Sequence, residues 1–238
     1  MMKADVLRVQ VDAVTLQECV RRIAEAIGAK TYIRVVTANP EILEAASRAQ
    51  KLRTILNTAD LVTADGVGVV WAARHLGSPL PERVTGIDLL EALFPVAATE
   101  HWRIFFLGSK PGVAAQAAAR MAVKHPGFAW EAQHGYFQAA EEEALLERIR
   151  AFRPHLILIG LGAPRQEIWN WEHPHLAYVS MGVGGSFDAL AGLVQRAPKV
   201  FREARLEWLY RLWQEPWRWR RQLTLPRFVL KVLRQKRF

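Results

Sequence analysis

The sequence predicts an α/β protein, a Rossmann-like parallel-sheet sandwich with a C-terminal helical, basic, membrane-associating appendage. Over the first 195 residues, short β-branched runs alternate with segments of helical period, the rhythm of strands joined by crossover helices. Leu156-Ile-Leu-Ile159 is a continuous apolar run, as expected of a strand buried on both faces. The last 43 residues, Arg196 to Phe238, hold 13 Lys+Arg against 3 Asp+Glu, a net of +10, whereas the preceding 195 hold 19 basic and 20 acidic side chains. That change of charge near Gln195–Pro198 divides the chain into a body, 1–195, and an appendage, 196–238.

Along the body, Val6 to Val11 reads as the first strand. Thr15-Leu-Gln-Glu18 is a capping box opening a helix that stops at Gly28. Tyr32 to Thr37 is the next strand, followed by Asn39 suited to an N-cap and Pro40 suited to a first helical turn. Leu61 to Thr63 forms a strand leading through Ala64-Asp65-Gly66 into a helix to Arg74, and Thr85-Gly-Ile-Asp88 starts another helix. Strands follow at Arg103–Leu107, Phe128–Gln133, Leu156–Leu161 and Tyr178–Val183. Between them lie an alanine-rich helix after Gly108-Ser-Lys-Pro-Gly112, a Glu-rich helix at Ala139–Phe152 and a helix at Pro164–Trp171.

With 51% hydrophobic and 23% charged residues, the chain is globular in character. No run of about 18 uncharged apolar residues is present, so no membrane span is expected. The first residues carry no apolar core region or cleavage site, so no signal peptide is expected either. Cys19 is the single cysteine, which excludes an intrachain disulfide and fits an inert buried thiol. The expected location is the cytoplasm, peripheral on the inner face of the cell membrane.

Ligands of an open parallel sheet bind beyond the carboxyl ends of its strands. Four such ends are rich in polar residues or glycine: Thr37-Ala-Asn39-Pro, Thr63-Ala-Asp65-Gly, Gly160-Leu-Gly-Ala-Pro-Arg-Gln166-Glu and Gly182-Val-Gly184-Gly-Ser-Phe-Asp188. Each turns into a helix and offers free backbone N–H groups to an anion. Plainer readings stand beside these: Asn39 and Asp65 also suit helix caps, and Gln166-Glu167 also suits a solvated helix start. The glycines at 182–185 do not complete a dinucleotide fingerprint, because Phe187 stands at the sixth position. There is no Walker A lysine and no Asp-x-Asp pair for a metal-bound diphosphate, and His173-Pro-His175 is too short and isolated for a metal site.

Thr63-Ala-Asp-Gly-Val-Gly, Gly-Leu-Gly-Ala-Pro-Arg-Gln-Glu, Gly-Val-Gly-Gly-Ser-Phe-Asp, Gln-Arg-Ala-Pro and Leu-Glu-Trp-Leu-Tyr-Arg-Leu occur in this order. From about Thr15 to Phe228 the chain resembles the WecG/TagA/CpsF family, glycosyltransferase family 26. It departs mildly where Arg165 replaces an expected lysine and Arg205 an expected glycine; the planar fork of Arg165 changes the phosphate contact an ammonium would make. The resemblance implies inverting, metal-independent and cofactor-free transfer of a sugar, N-acetylmannosamine or a relative of it. The donor is a UDP-sugar and the acceptor an undecaprenyl-diphosphate-linked sugar, in teichoic acid or other cell-surface polysaccharide synthesis. It implies Asp65 as general base, Thr37 and Asn39 beside the reacting sugars, and Arg83 and Gln166 in the pocket. Tyr136, Gly184 and Asp188, on strand-end loops, are expected to bind substrate, with Tyr136 and Asp188 toward the uridine. Arg211, Arg218 and Arg221 are expected to close over the leaving diphosphate. The family also implies a homodimer.

In the appendage, Leu225, Phe228, Val229, Val232 and Leu233 recur at helical spacing, with Arg227, Lys231, Arg234 and Lys236 largely elsewhere. With Trp208, Trp213, Trp217 and Trp219 among arginines, the segment fits an anionic bilayer surface. The same pattern also fits a helix packed on the protein's own core with a solvated basic face. Nucleic-acid binding is the competing class, since Arg and Trp contact phosphates and stack on bases, but it leaves the sheet-end loops without a purpose. A catalytically silent lipid-binding homologue is the third, and retention of Asp65, Thr37 and Gln166 speaks against it.

Overall fold

The computed structural model describes residues 2–194 and 223–235, together with 198, 201 and 210. Arg211, Arg218, Arg221, the four appendage tryptophans and residues 195–197 at the expected junction lie outside the described residues.

The chain opens differently from expectation. In place of one strand, β1 (Lys3–Val6) and β2 (Val9–Asp12) form an antiparallel hairpin that is a sheet of its own. Leu7 and Arg8 make the turn with φ of 54° and 67°. This turn is usually signalled by Asn-Gly or Asp-Gly, and neither is present. Asp12, buried at the end of β2, accepts a 2.8 Å hydrogen bond from the Val62 N–H, which lies on the outer edge of the main sheet. The hairpin thereby covers an edge that would otherwise offer unpaired donors.

The main sheet has six parallel strands: β3 (Ile33–Ala38), β4 (Leu61–Ala64), β5 (Arg103–Gly108), β6 (Ala129–Gln133), β7 (Leu156–Gly160) and β8 (Val179–Gly182), in the order β4-β3-β8-β7-β5-β6. Alternate side chains fill opposite cores. Ile104, Phe106, Leu156 and Leu158 pack beneath α1 (Leu16–Gly28), α5 (Gly86–Thr99) and α6 (Val113–Lys124). Phe105, Leu107, Ile157 and Ile159 pack beneath α7 (Ala139–Phe152) and α8 (Arg165–Glu172). Val36, Ala38, Val62 and Ala64 meet the hairpin, α2 (Pro40–Arg48), α3 (Gln50–Asn57) and α4 (Val67–His75). The capping box holds as expected: the Glu18 N–H donates to Thr15 Oγ1 and the Thr15 N–H to Glu18 Oε2. Cys19 is fully buried in α1, and burial pushes its thiol up to about 12.

After β8 comes a short helix, α9 (Ser186–Leu190), and the last described helix, α10 (Thr224–Gln235), lies on the body. Two of the five apolar positions expected to face lipid, Phe228 and Val232, are instead buried in the core shared with the hairpin, α2 and α4. Lys231 Nζ donates to Glu44 Oε1 at 2.9 Å and to Ser47 Oγ at 2.7 Å on α2. Gln235 Oε1 accepts from the Leu7 N–H at 2.8 Å. Val229, Leu230 and Leu233 remain exposed, as do Arg227 and Arg234. The helix thus takes the core-packed arrangement on one side and keeps a second apolar side outward.

Candidate active site

The carboxyl ends of the strands open into a cavity of about 1460 Å³. That exceeds the roughly 300–1,000 Å³ common for single small ligands, leaving room for two substrates. All eight described residues expected at the site, Thr37, Asn39, Asp65, Arg83, Tyr136, Gln166, Gly184 and Asp188, line this cavity.

The strand register brings them together. Thr37 of β3 pairs with Thr63 of β4, so the residues that follow, Asn39 and Asp65, emerge from neighbouring strands. Thr37 Oγ1 is buried and donates to the Gly182 carbonyl on β8 at 3.0 Å. Asn39 does cap α2, accepting from the Ile42 N–H at 3.0 Å, while still lining the cavity. Asp65 sits where the chain leaves β4: its own N–H donates to the Ala38 carbonyl at 2.8 Å, and its Oδ2 accepts from the Gly86 N–H at 3.3 Å. Gly86 begins α5, so the carboxylate faces the positive end of a helix.

On the other side, β5 ends at Gly108, whose φ is +139° and where a Cβ would sit 2.4 Å from the Gly160 backbone. Only glycine allows β5 and β7 to approach so closely there. The next residue, Ser109, donates from Oγ to Asp188 Oδ1 at 3.3 Å, and Lys110 after it lines the same cavity. Tyr136 lies exposed on the wall after β6, and Arg165 spans from α8 to the Gly135 carbonyl at 3.1 Å.

Gln166 and Glu167 are both buried, in contrast to a solvated helix start. Gln166 Oε1 accepts from the Gly184 N–H at 3.1 Å, and its Nε2 donates to Glu167 Oε1 at 2.8 Å. Burial, only partly opposed by that hydrogen bond, raises the Glu167 pKa above the ordinary carboxylate value. Glu167 is therefore suited to holding Gln166 in place and unsuited to service as an ionised base.

Some wall residues escaped sequence reasoning. Lys110 and Ser109 sit in a turn whose Gly-Ser-Lys-Pro-Gly composition was visible, although its proximity to Asp188 was not. Trp71 of α4 and Thr224 of α10 also line the cavity without any local signal, and Leu225, Phe228 and Val229, whose helical spacing pointed to a lipid surface, line it too. The appendage therefore contributes to the site directly.

Comparison with known proteins agrees with this geometry. Residues 4–238 match the model of the "Glycosyl transferase WecG/TagA/CpsF family". Proteins of Staphylococcus aureus strains MW2 and NCTC 8325 are each 35% identical to the chain over 99% of its length and 94% of theirs. Both are named N-acetylglucosaminyldiphosphoundecaprenol N-acetyl-beta-D-mannosaminyltransferase. With strand-end loops converging on one cavity and a match along nearly the whole chain, this protein is a glycosyltransferase belonging to the WecG/TagA/CpsF family.

Proposed function

We propose that the protein transfers N-acetylmannosamine from a UDP-linked donor to the sugar of an undecaprenyl-diphosphate-linked acceptor, with inversion, at the inner face of the cell membrane. The observation that carries the mechanism is the setting of Asp65, at the end of β4, beside Thr37 and Asn39 and against the start of α5. Two other wall carboxylates fit a base less well: Glu167 is buried behind Gln166, and Asp188 is bound by Ser109. The acceptor hydroxyl attacks the anomeric carbon from the face opposite UDP and gives its proton to Asp65. The bond to UDP breaks with its electron pair passing to the β-phosphate oxygen. Lys110 and Arg165 are wall cations suited to that growing charge, and Arg211, Arg218 and Arg221 of the appendage complete the set. Arg83 and Gln166 hold the sugars, and Tyr136, Gly184 and Asp188 hold the uridine end.

Residues 1–195 form the catalytic body in this proposal, and 196–238 form the appendage that seeks the membrane. Support for the second role comes from Arg227 and Arg234, exposed beside Leu230 and Leu233 on α10. Each basic residue near an anionic leaflet contributes about 1 kcal/mol, enough in combination for reversible binding. Among the described residues no helix is long and apolar enough to cross a membrane.

The test measures UDP release from a panel of UDP-sugars with a short-chain prenyl-diphosphate acceptor. Asp65→Asn keeps the shape and removes the base, so turnover should fall by about 10²–10⁴-fold with the protein still folded. Full turnover by this variant, or no release from any donor, would overturn the proposal.

A further inference from the structure

The cavity wall changes character from one side to the other. Asp65, Lys110, Arg165 and Gln166 give it a polar side at the strand ends, whereas Trp71, Leu225, Phe228 and Val229 give it an apolar side between α4 and α10. Phe228 anchors this side, its ring 3.9 Å from where a Cβ on Gly68 would lie. Trp71 stands one turn beyond Val67, both on the cavity side of α4, and His75 stacks on its ring at 5.4 Å. Leu225 and Val229 are likewise one turn apart on α10.

The apolar surface continues out of the cavity. Trp71 and Val229 line the cavity yet remain 38% and 36% exposed. From Val229 the helical spacing leads to Leu233 and then to Leu230, both exposed, so apolar side chains run unbroken from the cavity to the outer side of α10. Arg234 and Arg227 follow Leu230 around the helix, so the track ends outside the cavity beside exposed cations. A polar chamber with an apolar exit matches a ligand with an anionic sugar-diphosphate head and a hydrocarbon tail.

We propose that the isoprenoid chain of the acceptor leaves the cavity over this track, with Trp71 and Val229 gripping the units nearest the diphosphate. The site rests on the acceptor class proposed above and adds where the hydrocarbon lies. It gives α10 a substrate-binding role separate from any attachment to a bilayer: the wall inside the cavity grips one lipid molecule, and the outward leucines meet the surface from which it comes.

The test uses the full chain in solution without vesicles or detergent. Two soluble acceptors carry the same sugar diphosphate, one on a single isoprene unit and one on three. Each added unit that reaches the track should raise kcat/KM on the order of tenfold, mainly through KM. Trp71→Ala combined with Val229→Ser should reduce the gain between the two acceptors to less than about threefold, while Trp71→Phe, which keeps an aromatic ring, should retain most of it. Both positions are partly exposed, so circular dichroism should show the variants folded. A gain undiminished in the double variant, or no gain in the unaltered protein, would overturn the track while leaving the transferase activity standing. No UDP release with either acceptor would overturn the activity as well.

Discussion

Gln166 Nε2 donates to the carboxyl of its own chain neighbour, Glu167, at 2.8 Å, while Gln166 Oε1 holds the Gly184 N–H. The carboxyl thus orients the amide, and the amide holds the glycine loop after β8. Glu167 Oε2 and Asn170 Oδ1, three residues apart on α8, are buried acceptors without a hydrogen-bond partner among the described residues. A proton on Glu167 turns one of them into a donor and removes a buried charge.

This arrangement predicts a pH-dependent stability. The raised pKa means that the folded state keeps its proton at pH values where the unfolded chain has released it. The stabilisation is full below the unfolded value of 4.5 and is lost as pH rises through the folded value. Glu167→Gln keeps the acceptor and does not titrate. Its melting temperature should therefore gain on that of the unaltered protein as pH is raised from about 5 to about 8. Thermal unfolding across that range checks it, and a constant difference would contradict a protonated Glu167.

Gly182 lies under the same amide. A Cβ there would sit 2.9 Å from Gln166 Nε2 and 3.4 Å from Glu167 Oε1. Gly182→Ala should displace the amide, cost about 1–3 kcal/mol in stability and reduce turnover by more than that loss of folded protein accounts for. Denaturant unfolding and initial rates on the same preparation separate the two effects.

Gly108→Ala should be harsher. The new methyl would meet Gly160 backbone atoms at 2.4 Å, and the φ of +139° is strained for any side chain. Neither neighbour can rotate away, so a loss of about 3 kcal/mol or more is expected, visible as insoluble or unfolded protein on expression.

Glu44 is 1% exposed and receives both Arg48 and Lys231. Lys231→Met removes one cation and leaves the buried carboxylate with the other, at a cost of about 1–3 kcal/mol. Adding Glu44→Gln should recover part of that loss. A double-mutant cycle by denaturant unfolding measures the coupling, and simple additivity would argue against it.

Alanine in place of Arg211, Arg218 or Arg221 should lower turnover at least tenfold while leaving the melting temperature within a few degrees. Unchanged rates in all three variants would remove the proposed role of the appendage arginines at the leaving group.

Much of the architecture was legible because local signals agreed with burial. Leu156 to Gly160 is a strand buried on both faces, and the helix at Ala139–Phe152 has the expected limits. Thr37, Asn39 and Asp65 stood out as polar residues at strand ends, where an open sheet has its crevice. The Leu7-Arg8 turn was hidden because ordinary residues adopt left-handed backbone there without the usual glycine or asparagine. Glu167 resembled a solvated helix residue because nothing in its own segment reveals that β8 passes over it. Trp71 gained its place in the wall from α10, about 150 residues further along, a relationship that local periodicity does not contain. For the same reason the pattern of α10 pointed to one apolar face, where the fold uses one side for the core and leaves another outside.

Because α10 supplies one wall of the chamber, the order of synthesis matters. Thr37, Asp65, Gln166 and Asp188 all leave the ribosome before Leu225, Phe228 and Val229 do. A nascent chain that has already folded its sheet still has an open-sided chamber. The hydrocarbon grip is therefore assembled last, when Lys231 reaches Glu44 and Gln235 reaches Leu7.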